Sequence, residues 1–136
     1  MTRPRWDDYF LGIATAVAAR ADCTRRQVGA VVVRDRRIVS TGYNGAPPGH
    51  RGCATASACP RGRQSAADVS SGSSYDTGPG ACIALHAEQN AILYAGRDGC
   101  LGSTLYITCD PCDGCKRLIR ASGLVYVRTP TLWWEL

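Results

Sequence analysis

The chain has 136 residues, 45% of them hydrophobic and 20% charged, the balance of one globular domain with enough chain to bury a core. No apolar run reaches the roughly 18 residues that a membrane-spanning helix needs, and the start, "MTRPRWDDYF", lacks the apolar stretch of a signal peptide, so a cytoplasmic protein without membrane contact is expected. The net charge of +5 rests on scattered arginines, with Lys116 the only lysine; no basic stripe interleaved with aromatics stands out, so a small anionic ligand is expected rather than nucleic acid.

Taken in order, residues 5–21 place Trp6, Tyr9, Phe10, Ile13, Val17 and Ala21 at helical spacing, which predicts an amphipathic helix. "VGAVVVRDRRIVSTGYNG" reads as two strands around Arg34, Asp35 and Arg36, a hairpin. "GYNGAPPGHRG" is loop by its Gly, Pro and Asn content. Residues 54–80 are rich in Ala, Ser, Gly and Arg with almost no large apolar side chain, the composition of a long surface insertion that favours partial disorder. Residues 84–96 read as helix, with Ile83, Leu85, Ala91, Ile92 and Tyr94 toward the core. "STLYITC" reads as a strand, and "PCDGCKRLIRASG", opening on Pro and closing on Gly, as a short helix. "LVYV" is a last strand before the tail "TPTLWWEL". The order α-β-β-α-β-α-β predicts one layered α/β domain over residues 1–136 with a mixed sheet. Four strands are clear.

Eight cysteines, at 23, 53, 59, 82, 100, 109, 112 and 115, argue for metal rather than disulfides in a reducing compartment. Only Cys112 and Cys115 have the tight Cys-x-x-Cys spacing. With His86 and Glu88 they make His-x-Glu followed by Pro-Cys-x-x-Cys, a signature of zinc-dependent nucleobase deamination. The chemistry of the pattern can be worked out. A catalytic zinc takes three protein ligands and leaves one position for water. A separation of three at a helix start puts both sulfurs on one face, where the helix end favours thiolate. Two thiolates and a neutral imidazole cancel the charge of the ion, so its water is less acidic than at a three-histidine site and an added base has more to do. Glu88 fills that place if it and His86 share the first turn of a helix. A redox-active thiol pair or a closed structural zinc explains Cys-x-x-Cys alone, but the closed site needs a fourth protein ligand and gives Glu88 no role.

With these residues in place, the chain resembles the deoxycytidylate (dCMP) deaminases of the cytidine deaminase superfamily. "RRQVGAVVV", "STGYNGAPPG", "HAEQNAILYA" and "PCDGCKRLI" stand in that family's order and spacing, over most of the chain outside 54–80. The resemblance implies a three-layer α/β/α fold around a mixed five-stranded sheet. It implies hydrolysis of dCMP to dUMP and ammonia by a zinc-activated water, with Glu88 as proton shuttle and His86, Cys112 and Cys115 as zinc ligands. It also implies a homo-oligomer, usually a hexamer, and in some members activation by dCTP and inhibition by dTTP. Related substrates stay open: a modified deoxycytidylate, cytidine or deoxycytidine, or a guanine-type base. So does a non-catalytic zinc-binding module, in which Glu88 would have no use.

The resemblance extends to the pocket. Asn44, otherwise a turn residue, would bind the sugar hydroxyl; Val28, otherwise core, would pack on the base; Ala87 would offer a backbone group to the pyrimidine. Arg25, Arg26 and Lys116 are candidates for the phosphate, or else solvated surface charges. Cys23, Cys53, Cys59 and Cys82 are similar to the cysteines that hold a second, structural zinc in several members, with His50 able to replace one of them. Such a site would pin both ends of 54–80. Cys100 and Cys109 read as packing residues.

Overall fold

The computed structural model describes residues 2–63 and 72–136. The expected disorder within 54–80 concerns in part residues 64–71, which lie outside the described residues. The first helix, α1, spans Trp6–Ala18. Phe10, Ala14 and Ala18, four apart, form its buried stripe. It ends three residues before the expected boundary because the chain turns away to pair elsewhere: the Asp22 N–H donates to the Asn44 carbonyl at 2.9 Å.

The predicted hairpin is β1 (Gly29–Arg34) and β2 (Arg37–Tyr43). Asp35 and Arg36 make a two-residue turn with both φ positive, at 53° and 60°, the backbone whose twist suits paired antiparallel strands. The remaining elements are a short 3-10 turn at Arg61–Arg63, then α2 (Ala87–Cys100), β3 (Thr104–Ile107), α3 (Asp113–Ser122), β4 (Tyr126–Arg128) and β5 (Trp133–Glu135). The fifth strand that the resemblance implies is in the tail. It pairs antiparallel with β4, setting Val127 opposite Trp134.

The sheet runs β2-β1-β3-β4-β5. Only β3 and β4 are parallel, joined through α3; every other pair is antiparallel, so the sheet is mixed as expected. β1 is an interior strand, buried along almost its whole length, which explains why "GAVVV" shows no polar alternation. On one face Phe10 and Ala14 of α1 pack on Val31, Val33 and Tyr106. On the other, Ala87, Ala91 and Ile92 of α2 and Ile119 of α3 pack on Ala30, Val32, Leu105, Ile107 and Val127. These are the three layers.

Two departures bear on the site. The expected helix 84–96 starts three residues late because Leu85 pairs with Gly45, its N–H donating to the Gly45 carbonyl at 2.8 Å and its carbonyl accepting from the Gly45 N–H at 3.2 Å. That bridge keeps 84–86 extended and makes His86 the residue that caps α2. At its far end the helical path breaks at Gly96, whose φ of 68° only glycine adopts cheaply. The second departure is in the apolar stripe. Ala91 and Ile92 are buried as expected, and Leu85 half-buried, but Ile83 is exposed and Tyr94 is 70% exposed. Tyr94 faces away from the core and borders a groove of about 440 Å³ along β2 with Val39, Thr41 and Asn90.

Candidate active site

Two helix starts converge at the sheet end where β3 finishes and β1 begins. His86 is the N-cap of α2 and Cys112 the N-cap of α3, both with extended backbone. Cys115 lies one turn into α3 and is buried, whereas Cys112 is exposed. The His86 imidazole Nδ1 lies 3.6 Å from the Cys112 sulfur and 3.2 Å from the Cys115 sulfur. All three ligand atoms fall within 4.8 Å of one another, and no other trio of His, Cys, Asp or Glu among the described residues does so. A tetrahedral zinc with ordinary Zn–S and Zn–N bonds separates sulfur from nitrogen by about 3.6 Å. Donor chemistry and spacing therefore both fit zinc, with Nδ1 as the imidazole ligand.

The orientation of His86 follows from a local feature. Its backbone N–H donates to the Gln89 side-chain oxygen at 2.7 Å, closing a capping box. Glu88, in the first turn of α2, is only 4% exposed. Its carboxylate faces the Cys115 thiol, whose pKa is pushed well up by burial first and by Glu88 next. Glu88 is thus a carboxylate buried beside the three ligands, with no cation bonded to it among the described contacts. β2 presses on this helix start. A Cβ at Gly42 would run into the Ala87 carbonyl and the Ala91 N–H, so the close approach needs glycine.

The family profile described as "Cytidine and deoxycytidylate deaminase zinc-binding region" matches residues 4–129. The chain belongs to that family. It is a zinc-dependent deaminase. It is 56% identical over 130 residues to the deoxycytidylate deaminase of Mycobacterium phage D29, covering 96% of this chain and 98% of the relative. It is 41% identical over 124 residues to the deoxycytidylate deaminase of Schizosaccharomyces pombe, where the match covers 90% of this chain but only 36% of the longer yeast protein. Among solved structures, the dCMP deaminase of cyanophage S-TIM5 in complex with dCMP and dUMP superposes with a TM-score of 0.68 at 28% identity, over 95% of this chain and 83% of that one.

The deaminase's other expected pocket residues gather less completely. Asn44 is buried and uses its amide on its own backbone: Oδ1 accepts from the Val28 N–H at 2.8 Å and Nδ2 donates to the Arg26 carbonyl at 2.9 Å. One amide hydrogen and one oxygen lone pair are left over by those two bonds. Val28 is half-buried against the core, and Ala87 is fully buried in the first turn of α2. Arg25 and Arg26 are exposed. Arg26 lies across the zinc loop, donating to the Cys109 sulfur at 3.5 Å. Lys116 pairs with Asp113 at 4.0 Å on the outer side of α3. Cys109 is half-buried, beside Arg26 and near Glu88, where the chain turns toward the site after β3 stops at Ile107. Cys100 is buried in the core as expected.

Cys53 lies near Cys59, Cys23 and Cys82, but no three of these sulfurs come as close together as the ligand atoms of the catalytic trio. The buried Cys53 thiol is pushed up to about 11 by burial first and by the neighbouring Cys59, Cys23 and Cys82 after it. Three of these sulfurs accept backbone N–H groups: Cys23 from Arg25 at 3.4 Å, Cys59 from Gly62 at 3.3 Å and Cys82 from Ala84 at 3.4 Å. His50 is exposed. The organiser of this region, Asp22, carries no recognisable sequence signal. Its carboxylate accepts from the N–H groups of Ala54 and Thr55 and from the Thr55 hydroxyl at 2.8–2.9 Å. The Thr55 bonds hold its carboxyl below the usual range.

Proposed function

We propose that this deaminase converts dCMP and water to dUMP and ammonia. The observation that carries the reading is the buried Glu88 set beside the His86, Cys112 and Cys115 cluster. The extent of the match to the phage D29 deoxycytidylate deaminase and the likeness to a deaminase solved with dCMP and dUMP support the substrate. Zinc bound by the three ligands supplies a polarised water that is nucleophilic near neutral pH. With zinc held there, Glu88 would take one proton from the water whose oxygen adds to C4 of the cytosine and pass it to N3, then take the remaining proton of the new C4 hydroxyl and pass it to the amine as the C4–N bond breaks and ammonia leaves. Ala87 offers a backbone group to the pyrimidine and Val28 packs on the ring. Asn44 turns its remaining amide hydrogen or lone pair to the sugar hydroxyl. Arg26, at the rim beside Cys109, with Arg25 or Lys116, meets the phosphate through charge-assisted hydrogen bonds.

Residues 1–136 act as a single deaminase domain in which 54–80 is a surface insertion. Ties across that insertion support this: Arg61 donates to the carbonyls of Ser73, Ser74 and Gly80 and stacks 3.8 Å over the Tyr75 ring. Cys23, Cys53, Cys59 and Cys82 hold a second, structural zinc, supported by the N–H bonds to three of the sulfurs and by the seclusion of Cys53. The protein works in the cytoplasm as a homo-oligomer, a hexamer by family resemblance; Leu93 and Tyr94, 65% and 70% exposed beside the free edge of β2, are the surface it would bury. dCTP and dTTP act as effectors through the loop after β2.

The test is ammonia release from a panel of cytosine and purine nucleotides, nucleosides and bases. The highest kcat/KM is expected for dCMP. A preference for cytidine, deoxycytidine or guanine would overturn the phosphate assignment, and one for a modified deoxycytidylate would move the specificity to the pyrimidine substituent.

A further inference from the structure

Of the two zinc cysteines, only Cys115 is held by burial. Cys112 is exposed and its side chain makes no capping bond, so its position depends on the loop that carries it from β3 to α3. Besides the Arg26 bond to Cys109 and the burial of Pro111, that loop is held by one carboxylate. The Asp110 carboxylate, two residues before Cys112, turns to the β4–β5 turn and accepts the Thr129 hydroxyl at 2.6 Å and the Thr131 hydroxyl at 3.3 Å. Thr129 is 1% exposed. Its oxygen accepts the N–H groups of Leu132 at 2.9 Å and Thr131 at 3.2 Å, and its own N–H donates to the Leu132 carbonyl at 2.8 Å. The hydroxyl is thus fixed by the turn, with its one proton directed to Asp110.

The geometry points to Asp110 and Thr129 as positioning residues for the catalytic metal: the C-terminal hairpin holds the zinc loop through this bond and sets where Cys112 stands opposite His86. Neither residue touches substrate. A cap of the turn alone would need only the Thr129 bonds to residues 131 and 132. The further bond to a carboxylate 19 residues back ties the turn to the ligand loop.

The test compares Asp110→Ala and Thr129→Val with Asp110→Asn and Thr129→Ser, which keep an acceptor and a hydroxyl at the two positions. Zinc affinity is read by competition with a chromophoric chelator, as the difference from the parent protein, since any metal held elsewhere is common to all variants. The first pair should bind zinc about 10- to 100-fold more weakly, the usual scale for losing a group that orients a ligand. Their kcat for dCMP should fall by about tenfold or more while KM changes little, and the second pair should restore both. Asp110 is exposed, so Asp110→Ala carries the test even if the buried Thr129→Val does not fold. Parent-like zinc affinity in Asp110→Ala overturns the assignment, and so does a loss that Asp110→Asn fails to restore. The kcat arm rests on the proposed function. If the parent protein releases no ammonia from dCMP, that function fails while the zinc arm still decides the clamp.

Discussion

Asn44 has two jobs to reconcile. Its side chain bridges the backbone of Arg26 and Val28 just before β1, and the same side chain is assigned to the sugar. Asn44→Ala leaves the Val28 N–H and Arg26 carbonyl unpaired, which should cost about 1–3 kcal/mol in denaturant unfolding and also lower kcat/KM for dCMP. Unchanged stability would contradict the bridging role. At this scale the sequence was most informative where the signal is local. His86, Glu88, Cys112 and Cys115 were legible because each pair is two or three residues apart and one ion demands all the ligands at once. Asp22, Asp110 and Thr129 were not, because a carboxylate and a hydroxyl carry no signature until the fold brings them together. The closeness of Cys109 to Arg26 and Glu88 is invisible in the sequence for the same reason.

Among elements, the start of α2 matters most. Hydrophobic periodicity suggested a helix from residue 84, but periodicity cannot register that Leu85 exchanges hydrogen bonds with Gly45. That pairing delays the helix until His86 caps it. It also gives Glu88 a place in the first turn, two residues after the cap. Gly42 sets how closely β2 lies against this turn. A Gly42→Ala variant forces the α2 backbone outward and should lower kcat for dCMP by up to about a hundredfold, the cost of a displacement near 1 Å at a reacting centre. Zinc content should stay at the parent level. Turnover matching the parent would show that the start of α2 tolerates the shift. Strand identities were readable from the Val-rich hairpin and from "TLYI", whereas β5 was not, because Trp133–Glu135 is too short for its pattern to declare a strand.

Across the whole molecule, one sheet with helices on both faces brings the start of β1 and the ends of β3 and β4 to one rim, with the caps of α2 and α3 above it. Open α/β sheets bind ligands at such a rim. The order of elements and the mixed sheet could be read from the sequence. Strand order could not, since nothing in it says that β1 sits between β2 and β3. The insertion 54–80 is poor in large apolar residues, and the proposed second site at Cys23, Cys53, Cys59 and Cys82 predicts about two zinc ions per chain by elemental analysis, one catalytic and one in a closed four-thiolate site; a clean value of one would remove the second.

The central claim is that Glu88 moves protons at a zinc site built to deaminate dCMP, and Glu88→Gln tests it most directly. The amide keeps size and polarity but cannot accept and return a proton. The variant should retain the parent's zinc content and lose about 10²- to 10⁴-fold in kcat, the contribution of a positioned acid–base group. Zinc-replete Glu88→Gln that releases ammonia from dCMP within a few-fold of the parent rate would contradict the account.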